Sequence, residues 1–177
     1  IERIKQLPIK GFDLTASIDC WGEPAQYVRR GLDLELFEQR LAWASQQSDW
    51  LNLNINQTIT NMTIKTMPEL IEVVNRYNDN KHIGHYFEFY IGPEQYLHPK
   101  IFSYSMWQQD FKRIYDTLKQ GTIEQREVFV RLQGLEKQLK TVSQHDSEQI
   151  ENLHIYLDEL DRRRATDWRS LFPYLIV

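Results

Sequence analysis

The sequence holds one cysteine, Cys20, in 177 residues. That excludes an internal disulfide framework and any all-cysteine metal site made by this chain alone. No apolar run approaches the ~20 residues of a membrane span, and no signal-peptide pattern opens the chain. There is no basic excess: Lys+Arg 21 stand against Asp+Glu 25, a formal charge of -4, so no broad surface for nucleic acid is expected. No G-x-x-x-x-G-K-[ST], G-x-S-x-G or G-x-G-x-x-G occurs, which removes the usual support for nucleotide-hydrolase, serine-hydrolase and dinucleotide chemistry. His82, His85, His98, His145 and His154 show no i, i+4 spacing on one helix, so no histidine metal site is expected. What remains is a sequence with 41% hydrophobic and 12% aromatic residues, enough for a real core and too much for disorder. A soluble cytoplasmic protein without membrane or nucleic-acid partners is the expectation.

Two segments alternate strictly. In residues 12–19, Phe12, Leu14, Ala16 and Ile18 oppose Asp13, Thr15, Ser17 and Asp19. In residues 51–58, Leu51, Leu53 and Ile55 oppose Asn52, Asn54, Asn56 and Thr58. Period two reads as strand, and helix-patterned segments after each suggest βα units and a parallel sheet. Parallel strands are normally apolar on both faces, because both faces are covered. Here one face is polar, so a cofactor or polar substrate is expected in front of it.

The remaining organisation follows from punctuation and period. Ile1 stands where Met would open a gene product, and residues 1–7 read as the last turns of a helix, as though a leader were removed or a longer protein cut. Residues 20–32 read as a loop broken by Gly22 and Pro24. Asp33 is the expected N-cap of a helix of about 14 residues carrying Leu34, Phe37, Leu41 and Ala44, closed by Ser48 and Asp49. After a strand over 51–60, Thr66-Met67-Pro68-Glu69 reads as a capping box opening a helix with Leu70, Ile71, Val74 and Tyr77 inward. Residues 84–91 form the third strand, His85, Phe87 and Phe89 alternating with Tyr86, Glu88 and Tyr90; which set faces inward is left open. Three helices follow over 105–119, 123–144 and 147–164, and the apolar residues 167–177 are expected to dock. The expected order is β–α–β–α–β then α–α–α, with residues 1–100 as an α/β unit and 101–177 as a helical extension.

Ligands of such sheets bind at the carboxyl ends of the strands. Ser17 and Asp19 sit there on the first strand, Asn56 and Thr58 on the second. A hydroxyl beside a carboxylate suits vicinal ribose hydroxyls; the structural alternative is that Asp19 caps the following loop while Ser17 bonds backbone. Ser17-Ile18-Asp19, a Gly-containing loop reaching Tyr27-Val28-Arg29, and then Asn56-Gln57-Thr58 together resemble the second half of a radical S-adenosylmethionine enzyme barrel. Asp167-Trp168-Arg169 with Phe172-Pro173 resembles members carrying a twitch extension. The resemblance covers residues 1–100 and extends weakly into the helices. It implies strands four to six of a partial parallel (β/α)6 barrel, with Ser17 and Asp19 at the ribose of S-adenosylmethionine. It also implies Arg29, or else Arg30, at the cofactor's carboxylate and Asn56 on the adenosine or substrate side. Asp13, Thr15, Asn52 and Asn54 would line the substrate side, joined by His85 or Glu88, whichever turns inward; for Glu88 the alternative is a carboxylate paired with a nearby Lys or Arg.

Two departures limit the chemistry. Cys20 stands where the family has Gly after the aspartate. The Cys-x3-Cys-x2-Cys loop that holds the 4Fe–4S cluster is absent, so the resemblance implies a segment inactive alone. Its parent would use S-adenosylmethionine and a 4Fe–4S cluster to form a 5′-deoxyadenosyl radical. Its partner would be the missing amino-terminal half-barrel, and exposed strand edges would favour self-association. Without cysteines after residue 100, auxiliary clusters are excluded within this chain. Two other readings stand beside it: a non-catalytic α/β interaction module using its carboxyl-terminal helices, and a small α/β enzyme with Asp19 as general base. Arg162-Arg163-Arg164 with Arg169 reads as a helix-end basic run complementing the dipole, with a phosphate or peptide partner as the sharper alternative.

Overall fold

The computed structural model describes residues 6, 8–47, 50–78, 82–119 and 125–177. Strands β1 (Phe12–Ser17), β2 (Leu51–Ile59) and β3 (Ile83–Phe89) form one sheet in the order β1-β2-β3. Both pairings are parallel: Phe12 lies opposite Leu51 and Ser17 opposite Asn56, then Leu53 opposite Ile83 and Ile59 opposite Phe89. The alternation sets this register, since a slip of one residue would turn every leucine of β2 onto the wet face. The chain is α/β, with a three-stranded parallel sheet.

Helices α1 (Glu23–Val28) and α2 (Leu34–Ser45) join β1 to β2, and α3 (Met67–Asn78) joins β2 to β3. Asp33 caps α2 as its position predicts, its carboxylate accepting from the Leu36 amide at 2.9 Å. The loop expected over residues 20–32 instead contains α1. Gly22, at φ +76°, precedes the helix and Pro24 occupies its first turn, where no amide donor is required. The two residues that stop a strand here start a helix. The capping box expected at residues 66–69 is not formed. Thr66 ends a 3-10 turn, its buried hydroxyl bonds no helix amide, and Glu69 reaches Arg113 at 2.7 Å.

One face of the sheet is closed. Leu51, Leu53 and Ile55, with Ile18 and Ile83, pack against Leu41 and Ala44 of α2 and Leu70, Val73 and Val74 of α3. His85, Phe87 and Phe89 turn to this same side, which settles the inward face of β3. On the opposite face Asp13, Thr15, Ser17, Asn52, Asn56, Tyr86 and Glu88 are exposed, and Asn54 and Thr58 are half-buried. No helix layer covers that face among the described residues.

Helices α4 (Gln108–Lys119), α5 (Gln125–Leu139), α6 (Ser147–Arg164) and α7 (Trp168–Leu171) build a second core at the carboxyl end of the sheet. There Trp107, Phe111, Ile114, Leu132, Leu153 and Leu157 join Ile59 and Phe87. α5 stops five residues short of its expected end; the Val142 carbonyl instead accepts from the Tyr104 amide at 2.9 Å. Residues 167–177 dock as expected, with Trp168, Phe172 and Leu175 free of solvent. The helix end expected over residues 1–7, and Ser48 and Asp49 as the close of α2, lie outside the described residues.

Candidate functional site

The carboxyl ends of the strands are tied together by one carboxylate. Asp19 follows β1, is only 6% exposed, and grips Arg29 with both oxygens: Nε donates to Oδ2 at 2.7 Å and Nη2 to Oδ1 at 3.2 Å. Oδ1 also accepts from the Thr58 amide at 2.9 Å, which anchors the loop after β1 to the end of β2. The Asp19 backbone carbonyl accepts from Gln57 Nε2 at 2.8 Å, and the Gln57 side-chain oxygen Oε1 lies 3.0 Å from His85 Nε2. That distance makes Nε2 the protonated nitrogen of a neutral His85, whose pKa burial lowers to about 4. A chain of polar contacts therefore crosses all three strands on the closed side.

The two adjacent arginines differ in their surroundings. Arg29 caps α1 and turns to Asp19, whereas Arg30 is exposed. Sequence reasoning assigned Asp19 to hydroxyls and Arg29 to a carboxylate; the structure joins these two residues to each other. Asp19 Oδ1 accepts from two donors and Oδ2 from one, so its carboxylate ties the loop after β1 to both α1 and β2.

The other sequence-derived residues share the open face. Ser17 lies opposite Asn56, Thr15 opposite Asn54, and Asp13 opposite Asn52, whose Nδ2 donates to Asp13 Oδ1 at 2.9 Å. Glu88 lies opposite Thr58 and has no ion pair among the described residues. Of the two inward candidates on β3, Glu88 therefore joins this face and His85 does not. Ser17 and Asn56 share one rung of the open face with Tyr86, and Thr58 and Glu88 form the next rung toward the carboxyl ends, together a set of hydroxyl, amide and carboxylate groups able to hold a polyhydroxylated or nucleoside-like ligand.

Sequence reasoning missed the lid over this end. A cavity of about 240 Å³ is lined by Asp19, Thr58, Tyr27, Tyr90, Tyr156 and Arg164, among others. The Tyr27 hydroxyl donates to Asp161 Oδ1 at 3.0 Å, and Arg164 Nη1 donates to the Tyr27 carbonyl at 2.9 Å. Burial first, and then the Asp161 carboxylate, raise the Tyr27 pKa and keep the phenol protonated. α6 is thereby fastened to the loop after β1. The basic run is accounted for in the same way: Arg162 and Arg163 hold Glu159, and Arg169 holds Asp158 while stacking on Trp168 at 4.4 Å. One signal for the Gln57–His85 chain was present, since Gln57 interrupts the apolar series Leu51, Leu53, Ile55, Ile59. The Tyr27–Asp161 pair spans 134 residues and leaves no local signal.

Cys20 is solvent-free beside Thr66, and burial pushes its thiol up to about 12. No group of three histidine, cysteine or carboxylate side chains suited to a metal occurs among the described residues. No helix there is long and apolar enough to cross a membrane. Comparison with known proteins returns no matching family model, no matching curated protein and no matching solved structure.

Proposed function

We propose that residues 1–100 form the carboxyl-terminal half of a partial (β/α)6 barrel of the radical S-adenosylmethionine type, and that this chain supplies the nucleoside side of the cofactor site. The observation that carries this is the open polar face of a parallel sheet. Parallel strands are ordinarily sealed on both sides, and a barrel lumen that receives a polar cofactor is a setting in which one wall stays hydrophilic. Among the described residues no strand pairs with the outer edge of β1, where further strands would join.

The donor sets fit the two cofactor parts differently. Ser17 and Asn56 offer a hydroxyl and an amide side by side to the ribose and adenosine, with Asp19 and Arg29 as a rigid end wall. Arg29 Nη1 remains uncommitted by the Asp19 pair and is the group left to meet a carboxylate. Asp13, Thr15, Asn52, Asn54 and Glu88 line the substrate side. A 4Fe–4S cluster does not fit this chain, since three thiolates are needed and the one thiol is buried and protonated. When bound on such a cluster, S-adenosylmethionine supplies a carbon radical that abstracts hydrogen from substrate. The residues here bind, orient and exclude water.

The test uses the intact gene product under anaerobic conditions. Iron and sulfide should be present, and dithionite should release 5′-deoxyadenosine from S-adenosylmethionine. Ser17→Ala should weaken cofactor binding by about tenfold, the worth of one hydrogen bond. A product with neither cluster nor cofactor cleavage ends the proposal. The interaction-module reading draws on Val130 of α5 and Ile155 of α6, 67% and 61% exposed. Each stands alone, and single exposed apolar residues are ordinary.

A further inference from the structure

The far edge of the sheet holds a second site. β3 is last in the order β1-β2-β3, and among the described residues no strand pairs with its outer side. The Tyr90 amide donates to the Ile59 carbonyl at 3.0 Å, so the even-numbered residues turn their backbone toward β2. Alternation then turns the amides and carbonyls of Phe87 and Phe89 outward. α5 runs past this edge without closing it and leaves a cavity of about 590 Å³. Residues 87–92 line it without a break, Phe87–Phe89 from the end of β3 and residues 90–92 from the segment that follows. Neighbours in a strand point to opposite faces, so an unbroken run lines one space only where that space follows the edge.

The chemistry of this slot is one-sided. Its apolar wall is Phe87, Phe89 and Leu135, and its cations are Lys100 and, from α5, Arg131. Neither cationic head has an ion pair or hydrogen-bond partner among the described residues, whereas Arg29, Lys65, Arg76, Arg113 and Lys140 are all held by carboxylates. His98 adds a donor. Its Nδ1 accepts from the Lys100 amide at 3.0 Å, which leaves Nε2 carrying the proton of the neutral ring. Glu88 is the one carboxylate in the lining, and its strand position turns it to the open polar face.

We propose that the slot between β3 and α5 is an oxyanion site, taking an extended ligand whose carboxylate or phosphate is held by Arg131 and Lys100 while its apolar body lies along Phe89 and Leu135. The same edge residues and Arg131 also line an adjoining space of about 460 Å³ that reaches Asn56 and Thr58. A ligand anchored here therefore extends toward the open face. In the radical-enzyme reading this is the anionic end of the substrate, but the anion grip does not require that reading.

The protein is titrated with glutarate and, separately, with inorganic phosphate, binding being read by calorimetry and located by hydrogen–deuterium exchange. One or both should bind saturably and slow exchange in peptides covering residues 87–92 and 131–138, and the stronger arm names the oxyanion. R131Q and K100Q should each weaken binding about three- to tenfold and together abolish it, with unchanged melting temperatures because both side chains are exposed. K112Q, an exposed cation on α4, should change nothing. Absence of saturable binding by both probes overturns the proposal, as does protection spread over basic segments generally or binding that survives the double substitution. Anion binding without cofactor cleavage would leave this site standing and sink only the radical reading; the reverse result would sink only this site.

Discussion

Leu51, Leu53 and Ile55 of β2 lie under two helices with almost no solvent contact, while Asn52, Asn54 and Asn56 alternate with them on a face that no helix covers among the described residues. The backbone is common to both sets, so the contrast isolates what side chains do. The closed side carries the energy that holds the sheet together. The open side is spared that task and is free to present amides and hydroxyls to a ligand. A parallel sheet stabilised from one side alone needs strong packing there, and the solvent-free Leu51, Ile55 and Leu70 meet that need.

Paired substitutions break or sharpen the contrast. Ile55→Ala should cost about 2–5 kcal/mol in urea unfolding, as transfer loss plus cavity, while Asn54→Ala should stay within about 0.5 kcal/mol. Equal losses would mean that the open face is packed by something and is no binding wall. Asp19→Ala should cost about 2–3 kcal/mol, because it removes a charge-assisted pair and orphans the Thr58 amide. Ser17→Ala, two residues before it, should be neutral for folding; a large stability loss there would place Ser17 in the scaffold. The closed side also carries a pH dependence. His85 has a folded pKa near 4, below the ordinary 6.5, so the unfolded chain binds more protons between those values. Stability should therefore fall as pH drops from about 6.5 to 4. His98 shifts in the same direction, so His85→Gln should flatten this slope without erasing it. Melts at pH 7 and pH 4.5 that show the same acid loss in both proteins would mean that His85 is solvated.

Strand periods were legible because they are local: the alternation in β1 and β2 fixed their faces and their pairing. Asp33 was legible as a cap for the same reason. α1 was not legible, because Gly22 and Pro24 serve equally to end a strand or to begin a helix, and the choice depends on what Ala25 and Tyr27 bury against. The Thr66–Glu69 box failed through a long-range competitor, Arg113, which draws Glu69 away from the helix start. Ser17 and Asn56 were readable as polar neighbours from strand phase alone, whereas the aromatic β3 left the side of Glu88 open until its register with Thr58 was seen. The Asp19–Arg29 bond was not, since ten residues of unforeseen helix and turn bring the partners together.

Trp168, Phe172 and Leu175 have a temporal consequence. They reach no solvent, yet the ribosome delivers them after Trp107, Phe111, Leu153 and Leu157, the residues whose cluster they complete. Until residue 175 has cleared the exit tunnel, a nascent chain carries an unsealed aromatic hollow. That interval is when chaperone capture or premature aggregation competes with closure.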